Sequence, residues 1–194
     1  MKKYLVLAAM LAALPGVAYA QDSDSTTAAQ SFDGVRAEAR LGYETPTVSG
    51  NGEVYKIGSA VSYGGELGFD IAAGKSVVVG PYAVYEFSSV KLCDGPACLS
   101  EKGNLGVGGR VGVVVSPNVL IYGKAGYARI SFKASSGSFV DSDSKGGVQG
   151  ALGVNVNFGK HAYGALEFNY GDYGKYGAVN LQRRHVAVGV GFRF

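Results

Sequence analysis

The sequence predicts an all-β protein, a single eight-stranded antiparallel transmembrane β-barrel with short periplasmic turns and four longer extracellular loops. Eight segments alternate apolar with small or polar residues at a period of two, which is typical of strands. Their connections alternate between short and long, so that all the long ones emerge at one end. Beyond residue 20, no apolar run approaches the roughly 20 residues of a membrane-spanning helix. A closed barrel is the other fold that satisfies the backbone in hydrocarbon.

The first 20 residues have the features of a secretory signal peptide. Lys2 and Lys3 precede an apolar run at 4–14, and an Ala-x-Ala cleavage pattern ends at Ala20. The run is short for a retained membrane anchor, the alternative interpretation. We expect cleavage after Ala20, a flexible polar mature N-terminus at 21–32 and a barrel domain at 33–194.

Charge and composition narrow the function classes. The chain has 18 Lys and Arg against 15 Asp and Glu, and a net charge of +3 that is small and scattered does not indicate a nucleic-acid partner. Export excludes cytoplasmic enzymes. Glycine is abundant at 31 residues and dispersed, which fits crowded, bending strands rather than a linker. No cofactor is predicted.

The strands follow from the alternation, which is clearest at 148–158 and at the C-terminus and poorest at 119–132. Pro81 costs the third strand one ladder hydrogen bond. The eight segments are 35–43, 55–71, 77–90, 105–115, 119–132, 148–158, 162–170 and 184–194. Three tight turns join them at 72–76, 116–118 and 159–161, and four long loops at 44–54, 91–104, 133–147 and 171–183.

Aromatic residues on the apolar face fall at two heights if that face points toward lipid. One set would form an outer girdle (Tyr43, Tyr85, Phe87, Tyr127 and Tyr170), and the other an inner girdle (Phe69, Phe158, Phe192 and Phe194). Membrane barrels place such rings at both headgroup levels. A soluble secreted binder of lipocalin type, the alternative, would instead expose a large apolar band to water.

The opposite face of the strands then points into the lumen and carries ten charged residues of balanced sign. Five are positive (Arg36, Arg40, Arg110, Lys124 and Arg193) and five are negative (Glu38, Glu66, Asp70, Glu86 and Glu167). An eight-stranded barrel has little room beyond its own side chains. Because isolated buried charges are very costly, we expect these residues to form a paired plug. A lumen wet enough to solvate them is the alternative.

The two cysteines lie between strand patterns in the segment Cys-Asp-Gly-Pro-Ala-Cys. An exported chain with one close pair favours a disulfide between Cys93 and Cys98. Two thiolates without a nearby histidine leave a zinc site half complete, so the metal interpretation is weak and no metal site is predicted.

Four sequence motifs resemble the small OmpA-like and opacity-type outer-membrane β-barrels of Gram-negative bacteria, a porin-like family of surface antigens. They are YGGELGFD at 63–70, GPYA at 80–83, LEFNY at 166–170 and VGVGFRF at 188–194. The resemblance covers residues 33–194 and implies residence in the bacterial outer membrane and insertion by the barrel-insertion machinery. The last strand also resembles the assembly signal of such barrels, in which Phe192 and Phe194 would take part. The resemblance does not extend to the C-terminal peptidoglycan-binding domain of full-length OmpA, so we expect no direct tether to the cell wall.

Catalytic chemistry finds little support in the sequence, and we expect no enzyme. His161 falls in a periplasmic turn, whereas His185 points inward near the outer rim without an adjacent Ser or Asp partner. The Ser- and Asp-rich stretch 135–144 lacks the spacing of a calcium loop, so we expect a solvated mobile loop there.

Four basic residues share the lipid-facing parity just above the outer aromatic girdle: Lys91, Arg129, Lys133 and Arg184. At that height they would meet the phosphate and carboxylate groups of lipopolysaccharide. Ordinary solvation at the rim is the alternative.

The expected function is that of a structural, surface-exposed barrel with a plugged lumen. Its loops would be available for adhesion and for contacts with host or phage surface molecules. The alternative is a small outer-membrane channel for ions or small apolar solutes.

Overall fold

The computed structural model describes residues 27–50, 53–56, 58–95, 97–136, 139–176 and 179–194. Its strands are β1 (Gly34–Gly50), β2 (Glu53–Lys56), β3 (Ala60–Ala72), β4 (Val77–Ser88), β5 (Lys91–Asp94), β6 (Ala97–Ser116), β7 (Val119–Ser136), β8 (Phe139–Asn157), β9 (Ala162–Tyr176) and β10 (Val179–Arg193). A short 3₁₀ helix, η1 (Ala28–Phe32), precedes β1. No helix in these ranges is long and apolar enough to cross a bilayer.

Eight of these strands close an antiparallel barrel, in the order β1, β3, β4, β6, β7, β8, β9 and β10. Pairing of β10 with β1 closes the ring, with Arg36 opposite Arg193 and Tyr43 opposite Val186. Two short strands lie outside the ring, since β2 pairs with the outer end of β1 and β5 with the outer end of β6. The predicted fold class is confirmed.

Side chains on the two faces of the barrel wall differ sharply in exposure. Outward residues such as Leu41, Leu152 and Leu166 are exposed, whereas the inward residues Glu66 and Arg110 are buried. Because side chains alternate along a strand, this segregation repeats around the ring. The lipid-facing band is therefore apolar and the lumen is polar.

Exposed aromatic side chains form the two predicted girdles, and Tyr63 adds to the outer one. The Tyr63 and Phe87 rings stack with centroids 5.4 Å apart, and Phe87 meets Tyr85 edge-on at 4.9 Å. At the opposite end, Phe158, Phe192 and Phe194 are exposed beside the short turns. Such girdles fit the two headgroup levels of a membrane.

The strands extend farther outward than the sequence predicted. Within the segment 135–144, expected to be a mobile loop, residues 135–136 and 139–144 are instead strand residues of β7 and β8, with Ser135 opposite Val140 and Lys133 opposite Ser142. Predicted strand 55–71 is also divided, because β2 pairs with β1 and the ring strand β3 begins only at Ala60. Above the membrane a hairpin needs only backbone pairing, so polar residues on both faces conceal its strands from the alternation pattern.

The segment just before β1 contains a short folded part that the sequence did not predict. A flexible N-terminus was expected over 21–32, of which 21–26 lie outside the described residues. Instead η1 docks at the periplasmic mouth, and Ala29 and Phe32 pack with residues of the lumen. Burial of the Phe32 ring stabilises the docked segment, and the mostly polar composition of the segment gave no sign of this burial.

Candidate functional site

Arg40 on β1 lies at the centre of the lumen and contacts four carboxylates. Its Nε lies 3.0 Å from Glu86, its Nη1 lies 3.0 Å from Glu38 and 3.1 Å from Glu66, and its Nη2 lies 2.7 Å from Glu167. These partners come from β1, β3, β4 and β9, so the guanidinium connects strands around the barrel. The planar, permanently charged group suits this role, because it presents five donors in fixed directions.

Lys124 and Arg36 extend this centre to the neighbouring strands. The Lys124 ammonium lies 2.6 Å from both Glu66 and Glu167, and Arg36 lies 2.7 Å from Glu66. The Tyr122 hydroxyl donates a 2.8 Å hydrogen bond to Glu167. Glu66 and Glu167 therefore each face more than one donor, which offsets much of the cost of taking these carboxylates out of water.

Toward the periplasm, one carboxylate oxygen of Asp70 faces three arginines. Arg110 lies 3.1 Å away, Arg36 3.2 Å and Arg193 3.4 Å. Arg110 also donates a hydrogen bond to Asn155. Because Arg36 contacts both Asp70 and Glu66, this group is continuous with the centre around Arg40. All ten charged residues considered for the lumen are buried and joined by these contacts, and we call this set the lumen charge network.

Three further charged residues lie at the outer end of the lumen, where the sequence indicated loops. Arg183 donates a 2.6 Å hydrogen bond to Glu44 and a 3.1 Å one to Glu86, and it lies 3.9 Å from Glu101. Glu44 and Arg183 continue the inward parity of their strands, so alternation could have found them. Glu101 adjoins a register shift between β6 and β7, and this irregularity breaks the parity at that point.

His185 occupies the lumen beside this outer group, and its ring is almost fully buried. The Ser62 hydroxyl lies 2.9 Å from Nε2, while Nδ1 lies 3.6 Å from Glu86 and 3.4 Å from Asn169. Ser62 is only 1% exposed, so its hydroxyl group is not accessible from the surrounding water. His161 lies at the other end, where Nδ1 contacts the backbone oxygen of Arg193 at 3.0 Å.

Apolar side chains pack against the charged residues at both ends of the lumen. The inner apolar cluster consists of Ala29, Phe32, Val78, Val114, Leu120 and Tyr122. The outer apolar cluster contains Ala128, Ile130, Tyr173 and Leu181, with Phe132 against it. Tyr173 also donates a 2.9 Å hydrogen bond to Asn104, which connects the outer cluster to the polar lumen.

On the outer wall, basic residues lie close together on three adjacent strands. Lys91 pairs across the ladder with Ser100, which in turn pairs with Lys133. Exposed Lys102 and Arg129 lie nearer the membrane on β6 and β7. We call these four cations the outer basic wall. Lys102 was missed in the sequence because its loop had no assigned parity.

Arg184 lies apart from the outer basic wall. It is exposed on β10 and pairs across the ladder with Tyr170 of the outer girdle and with Thr45. Of the four lipopolysaccharide candidates, the structure therefore brings Lys91, Arg129 and Lys133 together, adds Lys102 to them, and places Arg184 on another side of the barrel.

The two cysteines form a disulfide between Cys93 and Cys98, which are ladder partners in the hairpin of β5 and β6. At the opposite end, Phe192 of β10 and Phe194, which follows the strand, have exposed rings. No group of three or more His, Cys, Asp or Glu side chains suited to a metal ion occurs in the described ranges.

The fold is similar to that of several solved outer-membrane proteins. Ail of Yersinia pestis, in complex with the heparin analogue sucrose octasulfate, is 17% identical over 84% of this chain and 99% of Ail, with a TM-score of 0.59. Neisserial surface protein A is 14% identical over 81% and 97% of the two chains, also with a TM-score of 0.59. OprG of Pseudomonas aeruginosa is 12% identical over 84% and 96%, with a TM-score of 0.54.

These structural likenesses show the fold alone, and among curated proteins none matches the sequence. The family assignment rests on the sequence of residues 5–194, which matches the family described as the outer membrane protein beta-barrel domain. A match of this extent, together with the closed eight-stranded ring and its two aromatic girdles, identifies the chain as a member of the outer membrane protein beta-barrel domain family.

Proposed function

We propose that the protein is a structural, surface-exposed barrel with a charge-paired, plugged lumen, and that its outer hairpins serve in adhesion and in contacts with host or phage molecules. The observation that carries this proposal is Arg40, which is 5% exposed and contacts four carboxylates. A guanidinium held in this way crosses the space that an ion would need. An eight-stranded barrel has little additional width.

The apolar clusters at the two ends support the same function. Phe32 lies below the lumen charge network, and Ile130 and Leu181 lie at its outer end. An ion moving along the axis would have to separate buried ion pairs as well as these apolar contacts. Both steps are costly in a low dielectric medium.

Planar-bilayer recording tests the plug against the alternative, a small channel for ions or small apolar solutes. We expect a silent bilayer for the refolded protein, with insertion verified separately by protease protection. Steady, resolvable openings that disappear on heat denaturation would favour the channel.

Lipopolysaccharide is the lipid partner that we propose for the outer basic wall. Lys91, Lys102, Arg129 and Lys133 lie just above Tyr127 and Phe87 of the outer girdle, on three adjoining strands. Lipopolysaccharide phosphates lie at this height, and several cations close together bind them better than isolated ones. Arg184, beside Tyr170, would supply a separate contact.

Charge reversal distinguishes this lipid contact from simple solvation. The double variant Arg129→Glu and Lys133→Glu should fold more slowly into vesicles containing lipopolysaccharide than into zwitterionic vesicles, and Arg184→Glu should show a smaller effect of the same kind. Lys75→Glu, in the exposed periplasmic turn, provides the control. Equal slowing in the two vesicle types would remove the proposal.

The outer hairpins offer a second polyanion surface. Lys56 and Lys175 are exposed near the ends of the hairpins, beyond the membrane-facing girdle. Ail, which has the same fold, was solved with a heparin analogue, and sulfated host polysaccharides are the corresponding partner we propose here. Retention on heparin should fall with rising salt and with Lys56→Gln and Lys175→Gln. Unchanged retention in the double variant would argue against these hairpins.

We also propose that the chain is exported by cleavage after Ala20 and inserted by the barrel-insertion machinery, with Phe192 and Phe194 in the assembly signal. Both rings are exposed on the last strand, where a folding factor can reach them. N-terminal sequencing should begin at Gln21. Deletion of Phe194 should lower the amount of assembled barrel in cells more than it lowers refolding in detergent.

A further inference from the structure

Residues 27–33 form a segment, which we call the stopper, that closes the periplasmic mouth without belonging to the barrel wall. It contains η1, and Ala29 and Phe32 within it are 0% exposed. Phe32 packs with Val78, Leu120 and Tyr122 of the inner apolar cluster. The segment therefore fills the end of the lumen as a side-chain plug would.

Few polar bonds attach the stopper to the rest of the molecule. The Ala29 N–H donates to the backbone oxygen of Lys75 at 3.1 Å, and the Asn157 side-chain amide donates to the backbone oxygen of Ser31 at 3.2 Å. A ring strand, in contrast, is paired with a neighbouring strand on each side over most of the part that forms the barrel wall. Since local opening follows the number of contacts that must be lost, the stopper is among the parts of the fold that open most readily.

Directly above Phe32 lies the arginine-rich end of the lumen. The Arg193 guanidinium lies 5.2 Å from the centre of the Phe32 ring and 5.0 Å from that of Tyr163. Arg193 shares the single carboxylate of Asp70 with Arg110 and Arg36, at 3.1–3.4 Å. Three guanidinium groups therefore surround one aspartate.

Several donors in this group have no acceptor among the described residues. They are Nε of Arg110, Nε of Arg193 and the side-chain amide nitrogen of Asn155, all in residues at most 4% exposed. Buried N–H groups ordinarily have a partner, and charged ones especially so. These unpaired donors outnumber the one unpaired acceptor of Asp70, its Oδ1, and this imbalance favours an anion at this end of the lumen.

A cavity beside the stopper reaches Arg193, one of the three arginines around Asp70. It measures about 320 Å³, opens toward the periplasm and is lined by Gln30, Ser31, Asn118, Asn157 and Arg193, among others. Arg193 and Asn157 reach from the lumen to this cavity, where Arg193 donates a 3.2 Å hydrogen bond to Asn157. Withdrawal of the Phe32 ring would join the cavity to the space below the three arginines.

We propose that the stopper is a detachable closure over an anion-binding vestibule formed by Arg36, Arg110, Arg193 and Asn155. The ligand class is a small inorganic anion of about the size of chloride. With Phe32 in place, the vestibule is closed and Asp70 is the anion that the arginines share. With Phe32 withdrawn, the volume of its ring becomes available and the unpaired donors bind an ion from the periplasm.

The test is the rate of urea unfolding of the refolded full-length mature chain in sodium chloride and in sodium gluconate of equal ionic strength, since gluconate is too large for the vestibule. Phe32→Ala should unfold more slowly in chloride, by roughly tenfold when chloride is about ten times its Kd. The native protein and Phe132→Ala, a matched truncation at the outer apolar cluster, should unfold equally in the two salts. Adding Arg193→Gln to Phe32→Ala should abolish the difference.

Equal rates for Phe32→Ala in the two salts would overturn the vestibule. An equally large chloride effect in the native protein would overturn the closure, because the site would then be open without removal of the ring. If Phe32→Ala does not give a heat-modifiable barrel, Phe32→Val takes its place with the same expected outcomes. Channel activity in bilayers would contradict the proposed plug but not this inference, so the two can fail separately.

Discussion

Arg40 and Glu167, separated by 127 positions in sequence, meet inside the barrel at 2.7 Å between Nη2 and Oε1. Arg40 lies on β1 and Glu167 on β9, which are separated in the closed ring by β10, so the contact joins two strands that share no backbone ladder. Because both side chains are almost fully buried, the pair is shielded from screening by salt. The lumen charge network therefore joins strands that are not paired with each other, in addition to the backbone ladders between neighbours.

Replacing Arg40 should be among the most damaging single changes in the lumen. Arg40→Gln leaves Glu38, Glu66, Glu86 and Glu167 with one fewer cation, and breaking a buried pair costs about 3–5 kcal/mol. We expect a loss of this size in urea unfolding in detergent, at a salt concentration where the native barrel unfolds reversibly. Arg129→Gln, on the outer basic wall, is the control and should change stability by less than about 1 kcal/mol. Similar losses for both variants would contradict a structural role for the network.

Glu44 and Glu101 should respond in opposite directions to the loss of charge. Both compete for Arg183, but Glu44 accepts a 2.6 Å hydrogen bond, whereas Glu101 remains 3.9 Å away. Glu101→Gln relieves like-charge repulsion and should leave the urea midpoint equal to or above that of the native protein. Glu44→Gln weakens the close pair and should lower the midpoint. The order of the three midpoints at neutral pH is the measurement, and a lower midpoint for Glu101→Gln than for Glu44→Gln would contradict it.

The Cys93–Cys98 disulfide should stabilise its own hairpin and little else. It closes a loop of only a few residues, for which the chain-entropy model gives about 2 kcal/mol. The double variant Cys93→Ser and Cys98→Ser should be cut faster by protease at the tip of the hairpin of β5 and β6. Its barrel should still migrate as a heat-modifiable band, because the ladder of β6 with β4 and β7 remains. Loss of the folded band would show that the disulfide supports the barrel itself.

The wall of the barrel was predictable from the sequence, whereas the lumen contacts and the outer strands were not. Lipid and lumen impose opposite polarities on alternate residues, so Leu166 and Glu167 each indicate their own side. Alternation indicates which face of the wall a side chain lies on but not which residue it contacts, so it could not predict the contact between Arg40 and Glu167. Above the membrane both faces meet water, and the pattern that reveals a strand is lost. The stopper is only a few residues long and has no periodicity to detect. Its one large apolar residue, Phe32, is the only feature that could have indicated burial.

Gly42, on the inner face of β1, should tolerate an added methyl group poorly. A Cβ there would overlap His185 Nε2 and approach the Ser62 hydroxyl at 2.8 Å, and these two groups are joined by a 2.9 Å hydrogen bond. Since both partners are buried, neither can move away without losing its other contacts. Gly42→Ala should therefore lower the urea midpoint by the equivalent of about 1–3 kcal/mol, the usual cost of overpacking.

Gly109→Ala is the matched control, because a Cβ at Gly109 points toward lipid and meets nothing within 4 Å. Replacing glycine in a strand interior by a residue with a side chain reduces the freedom of the unfolded chain, so this variant should equal or slightly exceed the native protein in stability. If Gly42→Ala and Gly109→Ala have the same midpoint, the Ser62–His185 contact does not constrain β1. If adding Ser62→Ala or His185→Ala recovers part of the Gly42→Ala loss, the crowding lies at that hydrogen bond.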